Sequence, residues 1–197
     1  MPARRGSQAR VLRIIGGRWR GRKWRFPDLP DIRPTPDRVR ETLFNWLGGR
    51  VQGARCLDLF AGSGALGLEA LSRGAAHVSF VDSAESVVRE LRLRLAEWQA
   101  ADAHVERSDA LAFLAGRPQP FDIVFLDPPF ASGLLAATAA RLTEQPWLAA
   151  GALVYVECAA GEAPPLPRTW QALRTKRAGE VGYHLFALPG TDSPKAA

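Results

Sequence analysis

The sequence predicts an α/β fold: an open, mostly parallel sheet with helices on both faces, preceded by a β-hairpin. Three observations predict it. After Gly53 short apolar runs alternate with helical patterns, a glycine-rich turn joins the first such strand to a helix, and the first 27 residues have their own composition. At 197 residues and 47% hydrophobic content the chain can bury one core of ordinary domain size.

Residues 1–10 read as a disordered basic tail, and 190–197 as a disordered end. Residues 11–34 read as a hairpin extension with its connector, and 35–189 as the main domain. In the hairpin, V-L-R-I-I and R-K-W-R-F flank a Gly-rich turn. Pro27 to Pro34 is the connector. Thr35 is expected to cap the next helix, with Pro36 at its first position and Gly48-Gly49 as its stop. Strands are expected near 54–60, 77–82, 103–108, 121–126, 151–157, 170–177 and 182–188. Helices are expected near 65–73, 84–98, 109–115 and 134–144. The last two strands lack an intervening helix and should pair antiparallel.

Net charge is +6, but it is not spread evenly. The first 27 residues hold nine basic residues and no acidic one, while the remainder holds 17 basic against 20 acidic. A basic arm on a slightly acidic body suits a polyanionic partner. Arg18, Arg20, Arg22, Lys23 and Arg25, interleaved with Trp19 and Trp24, suit phosphate contacts plus stacking on unpaired bases. The alternative is that the tryptophans pack on the main sheet, and the expected outcome is mixed, with Trp24 and Phe26 packed and the arginines free. Arg38, on the polar stripe of the following helix, is grouped with them as RNA-binding. No apolar run is long enough for a membrane span, no signal-type segment opens the chain, and Cys56 and Cys158 read as buried free thiols. These features predict a cytoplasmic protein with no membrane and no metal, and nothing demands more than a monomer.

Gly62, Gly64 and Gly67 fit G-x-G-x-x-G between a strand and a helix, which allows close approach of backbone to a ligand. Asp82, at the end of the second strand of the domain, suits a ribose diol. Both features fit a dinucleotide as well as S-adenosyl-L-methionine. Asp58 begins to separate the two: a carboxylate at the strand tip repels a pyrophosphate and attracts an ammonium. Asp109 can accept from an adenine amine, cap a helix, or do both. Phe121–Leu126 is then an apolar strand followed at once by Asp127-Pro128-Pro129-Phe130. Proline fixes φ and removes donors, so this loop offers acceptors. An aromatic amine donating to Asp127 and to the Pro128 carbonyl would localise its lone pair for methyl transfer, with Asp127 stabilising the developing positive charge and Phe130 stacking on the base.

Asp58–Ala70 (D-L-F-A-G-S-G-A-L-G-L-E-A) and D-P-P-F resemble class I, Rossmann-like amino-methyltransferases. G-G-R-W-R-G-R with R-P-T-P-D-R-V-R-E-T-L-F-N-W-L at Arg33–Leu47 resembles the RsmD-type bacterial methyltransferases, over about residues 13–188. The resemblance implies a seven-stranded sheet with an antiparallel last strand and a hairpin extension. It also implies S-adenosyl-L-methionine as cofactor and methylation of guanine N2 in small-subunit (16S) ribosomal RNA, of the guanine-966 type, on a ribosomal particle. It places the cofactor on Asp58, Phe60, Ala61, Gly62, Ser63, Gly64, Asp82, Ser83, Asp109 and Ala110, and catalysis on Asp127, Pro128, Pro129 and Phe130. The family often carries glutamate where this chain has Asp82. A DNA or other RNA amino-methyltransferase acting on adenine N6 or cytosine N4 is the nearest alternative. A glutamine-modifying methyltransferase would more often carry Asn-Pro-Pro-Tyr. A nicotinamide oxidoreductase or a non-catalytic RNA-binding module leaves Asp127–Phe130 unexplained.

Overall fold

The computed structural model describes residues 10–26 and 35–188. The expected disordered ends lie outside the described residues, except that Arg10 belongs to the first strand rather than to the tail, and the Pro27–Pro34 connector lies outside them too. The chain opens with an antiparallel hairpin of β1 (Arg10–Arg13) and β2 (Lys23–Phe26), with Leu12 opposite Trp24. Alternation buries Leu12, Trp24 and Phe26 and leaves Val11, Arg13, Lys23 and Arg25 in solvent.

Helix α1 (Asp37–Leu47) follows. Its cap is Pro36, extended at φ −57° and ψ 148°, so the helix starts one residue later than the sequence reading placed it. Thr35 is no cap; it is buried and committed elsewhere. Gly48 ends the helix at φ 52°, as expected of a glycine stop.

The main sheet contains β3 (Arg55–Asp58), β4 (His77–Asp82), β5 (Ala103–Arg107), β6 (Phe121–Leu126), β7 (Leu148–Ala159), β8 (Gln171–Ala178) and β9 (Val181–Ala187). Their order is β5-β4-β3-β6-β7-β9-β8, parallel except where β9 pairs antiparallel with both β7 and β8. The connecting helices are α2 (Ala65–Ser72), α3 (Glu85–Glu97), α4 (Ala110–Leu114) and α5 (Leu134–Glu144). One sheet face, carrying Cys56, Phe80, Phe125 and Tyr155, packs on the hairpin and α1–α3. The other, carrying Leu57, Val124 and Val156, packs on α4 and α5. Strand order reverses between β3 and β6, and in such sheets ligands bind outside the strand ends at that switch point.

A buried charge cluster fastens the hairpin to the body. Glu69 of α2 accepts from the backbone N–H groups of Ile15 (2.9 Å) and Gly16 (2.8 Å) and from Arg73 Nε (2.8 Å). Arg40 of α1 is fully buried; Nη1 faces Glu69 at 3.5 Å, Nη2 donates to the Arg13 carbonyl, and Nε donates to the Thr35 carbonyl. Ser72 completes the seam by accepting from Trp19 N–H and donating to the Gly16 carbonyl. Breaking a buried pair by removing one partner strands the other, at a cost of about 3–5 kcal/mol. Glu69→Ala is therefore expected to lower the melting temperature by several degrees and to expose the chain near Arg13–Arg25 to limited proteolysis. A melting curve and digestion map check this; an unchanged digestion pattern would show that apolar packing alone holds the arm.

Candidate active site

The glycine turn is shaped by packing as much as by ligand access. Gly64 sits at φ 75°, and a Cβ there would lie 2.3 Å from Leu91 Cδ2. A Cβ on Gly67 would lie 2.2 Å from the Phe80 ring, so the third glycine lets α2 close onto β4. Asp58, buried at the tip of β3, accepts from Gly67 N–H at 3.0 Å through Oδ2. Its Oδ1 has no hydrogen-bond partner among the described residues. Burial is the main cause that pushes the Asp58 carboxyl up to about 8; the Gly67 bond lowers it and the Asp82 charge raises it further.

Asp82 spans the turn: one oxygen accepts from Gly62 N–H and the other from Ala84 N–H, each at 2.9 Å. Each oxygen keeps acceptor capacity for a diol. Asp109 caps α4, with Oδ1 accepting from Leu111 and Ala112 N–H at 2.9 and 3.3 Å. That engages one carboxylate oxygen and leaves Oδ2 for an exocyclic amine. Phe60 is half-buried, Ala61 and Ser63 are buried beneath the turn, Ser83 is exposed, and Ala110 is the buried first residue of α4.

Asp127 follows β6 directly and shares the sheet face of Asp58. Cys56 and Phe125 lie on the face covered by α1–α3, and period-two alternation carries Asp58 and Asp127 to the same side. Ser132 donates to the Pro129 carbonyl from both N–H (3.0 Å) and Oγ (2.6 Å). The Pro128 carbonyl has no partner among the described residues, which leaves it as the loop's free acceptor. Phe130 is 49% exposed, an apolar ring held at the mouth of the site.

The sequence reading missed Glu157. It is buried on β7, accepts from Tyr155 Oη at 2.8 Å and from the Thr35 hydroxyl, and in register lies opposite Asp127, one step beyond the Leu126–Val156 pair. Burial, then Glu157, then Asp58 hold the Asp127 carboxyl well above the usual carboxylate range. Burial likewise raises Glu157, against the Tyr155 and Thr35 bonds that lower it. The one available signal was a lone acid in an otherwise apolar strand, V-Y-V-E-C.

Trp24 and Phe26 are packed, as expected, but Trp19 is not where a stacking role would put it. Trp19 and Trp24 are both buried, with ring centroids 5.1 and 5.7 Å from that of Trp98. The Arg18 guanidinium lies over the Trp19 ring at 4.4 Å. Trp19 therefore anchors the arm and has no free face for a base. Arg18, Arg20, Arg22, Lys23, Arg25 and Arg38 are exposed.

A parallel sheet with a switch-point glycine turn, acids at successive strand ends and an Asp-Pro-Pro-Phe loop defines a class I amino-methyltransferase. Comparison with known proteins narrows this. The family described as Conserved hypothetical protein 95 matches residues 12–187. Ribosomal RNA small subunit methyltransferase D of Escherichia coli K12 is 51% identical over 176 residues, 89% of each chain. The protein of that name from Haemophilus influenzae is 43% identical, over 89% of this chain and 93% of its own. The solved structure of yhhF from Escherichia coli superposes with a TM-score of 0.83 at 48% identity, covering 92% of this chain and 99% of that one. An RNA methyltransferase from Salinibacter ruber, solved with S-adenosyl-L-homocysteine, shares the fold at TM-score 0.61 and 18% identity. The chain belongs to the ribosomal RNA small subunit methyltransferase D family. No helix among the described residues is long and apolar enough to cross a membrane.

Two outcomes are expected. The folded Asp58 carboxyl binds its proton more tightly than in the unfolded chain, so its stabilising contribution is present at low pH and is lost as pH rises from about 4 to about 8. Asp58→Asn is expected to melt higher than the parent at pH 8, with the difference vanishing near pH 4. Its affinity for S-adenosylhomocysteine should collapse. In the parent, that affinity should strengthen with pH up to about 8. Glu157→Gln keeps an acceptor for Tyr155 but removes the charge beside Asp127, so Asp127 should ionise more readily. The acid limb of the kcat/KM profile should then move to lower pH; an unmoved limb would make Glu157 purely structural.

Proposed function

We propose that this chain transfers a methyl group from S-adenosyl-L-methionine to the exocyclic N2 amine of a guanine in small-subunit (16S) ribosomal RNA, of the guanine-966 type. The observation that carries the reading is the site at the end of β6: Asp127 beside Asp58 and Glu157, a free Pro128 carbonyl and an exposed Phe130, in a chain half identical to a small-subunit RNA methyltransferase.

The cofactor supplies an electrophilic methyl group bound to sulfonium sulfur. Asp58 would hold its ammonium, Asp82 its ribose hydroxyls and Asp109 its adenine amine, each with acceptor capacity that its protein partners leave over. The glycine turn from Phe60 to Gly64 brings backbone close to it, and Ser83 and Ala110 border it. Phe130 stacks on the target base, which must leave its neighbours to enter. One N–H of the base amine donates to Asp127 Oδ and the other to the Pro128 carbonyl. Two acceptors at fixed positions favour a pyramidal nitrogen whose lone pair points at the methyl carbon. Bound there, the cofactor would supply the methyl carbon with its sulfur as leaving group, and the amine nitrogen gains positive charge as it is methylated. Asp127 stabilises that charge in a partly desolvated site, and its raised proton affinity suits it to take the surplus proton.

The exposed cations of the hairpin and Arg38 meet RNA phosphates, and the substrate is RNA within a small-subunit ribosomal particle. The enzyme works as a monomer in the cytoplasm, where that particle is assembled. Asp127→Ala is expected to keep S-adenosylhomocysteine affinity within about twofold while methyl transfer to small-subunit RNA falls about 10²–10³-fold. Mass mapping of ribosomal RNA from a strain lacking the protein locates the product: one guanine should lose its methyl group, and an unaltered map would exclude the substrate.

A further inference from the structure

Strand β8, at the sheet edge farthest from β5, departs from the rest of the body. Gln171 to Arg177 are all exposed, and the strand carries Arg174, Lys176 and Arg177 with no acidic residue. The chain beyond the arm is net acidic, so three cations within four positions are a local excess. None of the three forms an ion pair among the described residues: Arg174 Nη1 donates to its neighbour's carbonyl, Leu173, and Arg177 Nε to that of Gly179. Glu180, in the following turn, is also exposed and unpaired with them.

Register fixes where these cations lie. Lys176 is opposite Tyr183 on β9, and Tyr183 is opposite Glu157 on β7. Glu157 in turn neighbours Asp127, so Asp127, Glu157, Tyr183 and Lys176 form one row across four strands. At about 4.8 Å per strand, Lys176 stands roughly 14 Å from the catalytic acid. Cross-strand partners share a face, so Arg174 (opposite Leu185) and Lys176 project on the face that also carries α1 and the hairpin. Arg177, opposite Gly182, lies at the same end on the other face. Between β8 and the site stands α1, whose Trp46 stacks on Tyr183 at 5.3 Å and whose outer residues Arg38 and Asn45 are exposed. The hairpin is fastened to α2 and α3 on the opposite flank.

We propose that Arg174, Lys176 and Arg177 form a second phosphate-binding strip, which holds the RNA backbone on the side of the target base opposite the hairpin. The inference rests on the RNA substrate of the preceding section. A lysine on an edge strand also discourages pairing with another chain, but that needs no second and third cation and no placement level with the catalytic loop. With the hairpin on one flank and β8 on the other, the backbone is held at two points while a base enters between them. Neither strip reads sequence; together they fix register and orientation.

The test is the triple variant Arg174→Gln, Lys176→Gln, Arg177→Gln, assayed for methylation of small-subunit particles from a strain lacking the protein. KM for the particle is expected to rise about tenfold, with kcat and S-adenosylhomocysteine affinity unchanged. The slope of log affinity against log salt should fall by about two to three. A charge-keeping variant, Arg174→Lys with Arg177→Lys, should restore most of the affinity and separates charge from strand stability. Unchanged KM and salt slope in the triple variant, with the parent active, would overturn the strip. A parent that methylates no ribosomal particle would instead overturn the substrate reading.

Discussion

The catalytic end of this molecule depends on one constraint: the register of β3, β6 and β7 holds Asp58, Asp127 and Glu157 on the same sheet face, in a region from which water is largely excluded. The Arg40 guanidinium nearby is committed to Glu69 and to the carbonyls of Arg13 and Thr35, so it does not neutralise them. Burial is the first cause that pushes all three carboxyls upward; the charges of Glu157 and Asp58 add to it at Asp127, and that of Asp82 adds to it at Asp58. The free protein therefore disfavours the charged form of these carboxyls until cationic groups arrive. In the proposed reaction the ammonium of the cofactor would answer Asp58, and the cation developing on the base amine would answer Asp127. Binding and catalysis thus draw on the same electrostatic deficit, and part of the stability forgone in the free protein returns as affinity.

A second consequence concerns the arm. A flexible basic tail would bind RNA but could not orient it. Here Trp19 and Trp24 are buried against Trp98, Glu69 accepts two backbone N–H groups of the hairpin, and Arg40 reaches back to the Arg13 carbonyl. The arginines are thereby displayed from a rigid platform continuous with the core that supports α1. Arg40 also binds the Thr35 carbonyl, and Thr35 donates its hydroxyl to Glu157. Hairpin, first helix and Glu157 are linked through successive contacts in which Thr35 and Arg40 both take part.

What was legible in the sequence follows from periodicity and turn chemistry. The strand–helix alternation, the Gly62-x-Gly64 turn and the proline loop after Phe121–Leu126 are local patterns, and their positions emerge within a few residues. The antiparallel partner of β7 was less visible: β9 inserts between β7 and β8, and nothing local distinguishes that order from a simple meander. Trp19 was misjudged because a tryptophan among arginines looks the same in sequence whether its ring meets a base or Trp98. Glu157 escaped for a related reason. Its meaning lies in a neighbour thirty residues away across a strand boundary, and a lone acid in an apolar run carries no motif.

The same long-range register explains why charge counting along the chain was only partly informative. The arm stands out because its cations are consecutive and unopposed. The cations of β8 stand in a stretch without acids from Ala163 to Gly179, but they are few beside those of the arm and belong to a body that is net acidic. Folding brings β8 level with Glu157 through β9, so Lys176 and Glu157 share a row despite the nineteen residues that separate them in sequence. A body that is net acidic by composition can therefore still present positive charge on the side where a polyanion approaches. Asp58 counts toward the formal charge, yet burial pushes its carboxyl up to about 8 and so removes part of that negative charge near neutral pH.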